Sequence, residues 1–103
     1  MTVRPKKLIL VSAEYHPLHK MLYRLCEEAA KEAGVEFEYR KEDYVFLSEH
    51  GKKDEFGFAG IPQVFVEMSD GGVKLVLWEV PLDERLKPDK EKVKKILLEA
   101  LKA

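Results

Sequence analysis

At 103 residues, with 46% apolar side chains and a net charge of −1, the chain is the size of one domain able to bury its own core, and it offers no overall field for nucleic acid or an anionic membrane. No apolar run reaches the about 18 residues a membrane-spanning helix needs, and Met1–Lys7 leads into no long apolar segment with a small-residue cleavage site, so a cytoplasmic location is expected. Lys and Glu dominate the 36% of charged residues, Asn is absent and Gln63 is the only Gln, a balance found in heat-adapted proteins, where dense charge serves temperature before partners.

Lys7–Ala13 (KLILVSA) is a nearly continuous apolar run, the pattern of a strand covered on both faces. From Leu18 the apolar residues Leu18, Met21, Leu22, Leu25, Cys26, Ala29 and Ala33 keep helical spacing, with Pro17 in the first turn and Gly34 as a left-handed cap. Cys26 lies on that stripe and reads as a small buried hydrophobe. As the lone cysteine it permits no internal disulfide. Val35–Arg40 alternates, placing Val35, Phe37 and Tyr39 on one face of a half-buried strand, so the first three elements predict a right-handed βαβ unit with parallel strands.

Residues 44–54 predict a short helix broken at Gly51. Gln63–Met68 and Val73–Val80 read as strands joined by a tight turn at Ser69-Asp70-Gly71-Gly72. In the second strand both faces carry apolar residues, and Trp78 is expected in the core. Pro81–Pro88 (PLDERLKP) reads as a charged surface loop. Asp89–Ala103 predicts a closing helix capped by Asp89, with Val93, Ile96, Leu97, Ala100 and Leu101 on one face. Its early lysines, Lys90, Lys92, Lys94 and Lys95, alternate with acids and read as a solvated face. The order βαβ–(α)–ββα predicts an α/β fold, a four-stranded mixed sheet flanked by helices, as a single domain over 1–103.

Two segments then carry a family resemblance. Ala13-Glu14-Tyr15-His16-Pro17-Leu18-His19-Lys20-Met21 resembles the thioredoxin active-site segment A-E-W-C-G-P-C-K-M. Gly60-Ile61-Pro62-Gln63-Val64-Phe65-Val66 resembles the segment that bears the cis-proline in thioredoxins and glutaredoxins. With the element order, these imply a thioredoxin-like fold over about residues 6–102. The departures bear on chemistry. Both cysteine positions of C-x-x-C are histidine, giving His16-Pro17-Leu18-His19, and the buried carboxylate that assists proton transfer in the family is here Leu10. Thiol–disulfide exchange needs a thiolate and a resolving thiol, so the family's dithiol reduction is expected to be absent, and fold alone does not carry the activity over.

The remaining chemistry has four readings. His16 and His19, three apart at a helix start, could supply two ligands for Zn²⁺, Ni²⁺ or Cu²⁺, with His50, Glu14 and Glu49 the nearest reservoir for a third. Ser12 and Ser48 are the hydroxyls available to a catalytic histidine, and no orienting carboxylate stands at a recognisable spacing. The resemblance implies instead a groove beside Ile61-Pro62, formed with Tyr15, His16 and His19 and rimmed by Phe58, in which an extended peptide or protein partner pairs with the backbone before the proline. A thiol reaction through Cys26 and a partner's thiol ranks last, because Cys26 lies on the buried stripe.

Overall fold

Leu8, Ile9, Leu10 and Val11 are all fully buried, and their side chains alternate between two separate apolar clusters. They form the middle of strand β1 (Pro5–Ser12), and a strand buried on both faces must have helices on both sides of its sheet. The computed structural model describes residues 2–102 and meets that requirement. Met1 and Ala103, the expected last residue of the closing helix, lie outside the described residues.

The elements after β1 are α1 (His19–Ala33), β2 (Glu36–Lys41), α2 (Tyr44–His50), β3 (Gln63–Met68), β4 (Val73–Leu77) and α3 (Lys90–Ala100). The sheet order is β2-β1-β3-β4, with β2 parallel to β1, and with β3 antiparallel to both β1 and β4. One face carries Leu8, Leu10, Val64 and Val66 against Leu22, Leu25, Cys26 and Ala29 of α1 and Val93 and Leu97 of α3. The other carries Ile9, Val11 and Phe65 against Leu47 of α2. Burying one such Leu or Val side chain is worth roughly 1.5–3 kcal/mol, so tertiary burial holds these helices more than propensity does. Among the described residues no helix is long and apolar enough to cross a membrane.

The fold class and element order agree with the expectation, and the ends of several elements do not. Gly34 caps α1 at φ 72°, as its position implies. Helix α1, however, begins at His19 and not around Pro17, because residues 13–18 form tight turns. In these turns His16 N–H donates to the Ala13 carbonyl and His19 N–H to that of His16, each at 3.0 Å. Strand β4 ends at Leu77, three residues earlier than its apolar pattern suggests. Its last pairing is Leu77 with Val64, beside an irregularity in the ladder, and nothing pairs with Trp78. The expected core tryptophan is therefore corrected: Trp78 is 50% exposed.

The register also brings the candidate segments to one end of the sheet. Val11 pairs with Gln63, so the chain leaving β1 at Ser12 emerges beside the chain entering β3 at Pro62.

Candidate functional site

His16 precedes α1, and its Nδ1 accepts the Leu18 N–H at 3.1 Å, a turn closed on itself. His19 is the first residue of α1, and its Nδ1 lies 3.0 Å from the hydroxyl of fully buried Ser12. The rings of Tyr39 and Tyr23 flank the His19 ring at 4.9 and 5.8 Å. His19 thus faces the β2 side, in a cleft shared with Glu14, Tyr23 and Tyr39. Burial, then the neighbouring Glu14 carboxylate, pushes the Tyr39 hydroxyl up to about 12.

The two histidines are therefore not a pair on one helical face. Among the described residues no three His, Cys, Asp or Glu side chains converge where they could hold a metal ion. Of the reservoir, Glu14 pairs with Lys41 at 3.6 Å, and the His50 ring packs on Phe46 at 4.8 Å. Ser48 donates to the Val45 carbonyl of its own helix, at 2.8 Å. Tyr15 is 70% exposed and donates to Glu42 Oε1 at 3.2 Å, on the β2–α2 side. A hydrogen bond with Tyr44, then burial and Glu42, pushes its hydroxyl up to about 12.

The Ile61–Pro62 peptide is cis. Ile61 lines a surface cleft of about 360 Å³ with Phe58, Gly60, Gln63 and Trp78, bordered by Lys52 and Lys53. Phe58 is 73% exposed, and Lys52 Nζ lies 5.9 Å from the centre of the Trp78 ring, a loose cation–π contact. Neither the N–H nor the C=O of Ile61 has a backbone partner among the described residues. The five residues implied by the resemblance lie in two segments that the sheet register brings to one end, and their contacts differ. Ile61 lines the cleft of Trp78, with Pro62 next to it in the chain, and His19 lines the cleft of Tyr39, while Tyr15 bonds Glu42 and His16 accepts the Leu18 N–H.

Two residues that build this cleft were not singled out by sequence reasoning. Buried Gln63 accepts the Lys52 N–H through Oε1 at 2.8 Å and donates through Nε2 to the carbonyls of Gly60 at 2.9 Å and Lys52 at 3.1 Å. One side chain so fixes both ends of the 52–60 segment to β3. The signal was its being the sole amide in an amide-poor chain. Asp54 is the second. Its Oδ1 accepts the N–H groups of Phe56 and Phe58 at 2.9 and 3.0 Å, holding a loop that turns both aromatic rings outward.

Cys26 is fully buried beneath α1, and burial pushes its thiol up to about 12. Comparison with family models, with curated protein sequences and with solved structures gives no match.

Proposed function

We propose that the chain is a thioredoxin-like domain without dithiol chemistry that binds an extended peptide across Gly60–Pro62. The observation that carries this is the cleft itself. Two exposed aromatic side chains, Trp78 and Phe58, border a backbone segment whose Ile61 N–H and C=O are free of backbone partners. A free N–H and C=O beside apolar anchors is what strand-like peptide recognition uses: main-chain hydrogen bonds supply affinity and side-chain recesses supply selectivity. The element order, and the His16-Pro17-Leu18-His19 segment between β1 and α1, support the family reading. Supporting the absence of dithiol chemistry, the single cysteine is buried, and burial pushes its thiol up to about 12.

The test is a selection of displayed random peptides on the immobilised protein. Enriched peptides are expected to bind with micromolar affinity and to lose at least about tenfold on Trp78→Ala, the loss typical of one aromatic anchor. No enrichment, or equal binding by the variant, refutes the reading. In parallel, the protein is expected to leave the rate of insulin reduction by dithiothreitol unchanged, and acceleration would reinstate a redox role.

A further inference from the structure

Helices α1 and α3 lie together over one face of the sheet. On α1, Lys20, Arg24, Glu28 and Glu32 follow at intervals of four and so share a side of the helix, as do Lys90 and Lys94 on α3. At the later turn the signs match. Lys94 Nζ lies 3.2 Å from Glu28 Oε1 and also pairs with Glu32. One turn earlier on both helices they do not. Lys20, Arg24 and Lys90 line a single cleft of about 390 Å³, with Pro17, Met21 and Leu25 as the rest of its wall.

No carboxylate lines this cleft, and none of the three cations forms an ion pair among the described residues. The nearby Asp89 carboxylate is occupied in capping α3, accepting the Lys92 N–H at 3.0 Å. Glu14 and Glu27 open onto the adjoining cleft of His19, which Lys20 and Arg24 also border, but neither carboxylate forms an ion pair with them. Lys90 is also the first residue of an 11-residue helix, whose amino-terminal end adds positive potential. Like charges brought together repel, and here the repulsion stands beside an interhelical pairing of the opposite sense. A multiply charged anion between the helices would complete the pattern that Lys94, Glu28 and Glu32 make one turn on.

We propose that the cleft between α1 and α3 binds a small phosphorylated ligand with at least two negative charges. Its phosphate lies among Lys20, Arg24 and Lys90, and its carbon part rests on Pro17, Met21 and Leu25. Arg24 offers the forked donor geometry that phosphate oxygens accept, and the lysines add point charges. The cleft volume lies at the low end of the range for small-ligand sites, about 300–1,000 Å³. The assignment is independent of the peptide cleft.

The test uses thermal unfolding in phenyl phosphate, tripolyphosphate or sodium chloride at matched ionic strength. A ligand that binds only the folded chain raises the melting temperature by mass action. Both phosphates are expected to raise the wild-type melting temperature saturably at millimolar concentrations, while chloride does not. Lys90→Glu is expected to abolish that rise, and to raise the melting temperature in chloride by giving Arg24 a partner. Lys95→Glu makes the same charge change outside the cleft and is expected to keep the rise. No rise in the wild type, an equal rise in Lys90→Glu, or equal losses in both variants overturns the proposal. Binding only to phosphatidylglycerol vesicles, and not to the soluble phosphates, overturns it in favour of a lipid surface.

Discussion

Leu86 and Gly57 hold the same place in two loops of one build. In the loop between β4 and α3, Asp83 Oδ1 accepts the N–H groups of Arg85 and Lys87 at 2.8 and 3.0 Å, and Leu86 N–H donates to the Asp83 carbonyl at 3.0 Å. Before β3 the same bonds join Asp54 to Phe56, Phe58 and Gly57. Both loops need a left-handed residue third after the aspartate, with φ 84° at Gly57 and 62° at Leu86. That conformation costs a side-chain-bearing residue about 1–2 kcal/mol, and Leu86, 78% exposed, has little burial to offset it. Leu86→Gly is therefore expected to raise the free energy of unfolding by about 0.5–1 kcal/mol, net of glycine's backbone entropy. Gly57→Leu should lower it by a similar amount through φ alone, since a Cβ there meets nothing within 4 Å. Urea midpoints of the two variants check both signs, and a lower midpoint for Leu86→Gly would expose a stabilising contact of the leucine. The recurrence of Asp-Glu-x-x-x in Asp54–Phe58 and Asp83–Lys87 was visible in the sequence, but hydrogen bonds and not residue type identify it as one loop used twice.

Helix α2 is seven residues long, too short to persist without help. It stands on Leu47, fully buried against Ile9, Val11 and Phe65, and on its cap. Asp43 Oδ1 accepts the Phe46 N–H at 3.0 Å and Oδ2 pairs with Arg40 Nη1 at 3.0 Å. The Phe46 amide first, then Arg40, hold the Asp43 carboxyl below its ordinary 3.8. A carboxyl depressed in the folded state lends stability that is full above the unfolded value and is lost as pH falls through the folded one. Asp43→Ala is expected to cost about 1 kcal/mol at neutral pH. The wild-type advantage over Asp43→Asn should shrink on going from about pH 6 to about pH 3, and denaturant titrations at both values read it. An advantage that stays constant would remove Asp43 from the acid response. At this scale the sequence was informative where one pattern decided the element. The helical stripe gave α1, and the alternation of Val35, Phe37 and Tyr39 gave β2 its packed face. It was uninformative where a partner decided it. Nothing in VKLVLWEV says that β3 stops offering a ladder after Val64, and so the strand ends before Trp78.

Across the whole molecule, Cys26 lies between α1 and the sheet, where a reagent reaches it only if that layer parts. Its modification by a thiol reagent is expected to be orders of magnitude slower than in the unfolded chain and to quicken with denaturant in step with global unfolding. A fast native rate would mean that α1 opens on its own. The cleft proposed for a peptide was half legible in the sequence. Ile61-Pro62 and the adjoining Gln63 lie in the segment marked by resemblance, whereas Trp78 and Lys52 come from two other segments that only the fold brings beside it. The sheet also has two open edges, and they differ. Along β2, Lys7, Glu38, Arg40 and Asp43 form a chain of contacts: Lys7 Nζ to Glu38 Oε1 at 2.8 Å, Arg40 Nε to Glu38 Oε2 at 2.9 Å as paired charges though not as an aimed hydrogen bond, and Arg40 to Asp43. A neighbouring chain adding a strand there would have to strip water from these groups and disturb their pairing, which is how natural edges discourage aggregation. At high concentration, β2 is the guarded side of the sheet. The five-residue β4, with Lys74 its only charge, relies on shortness and an irregular ladder to stay solitary.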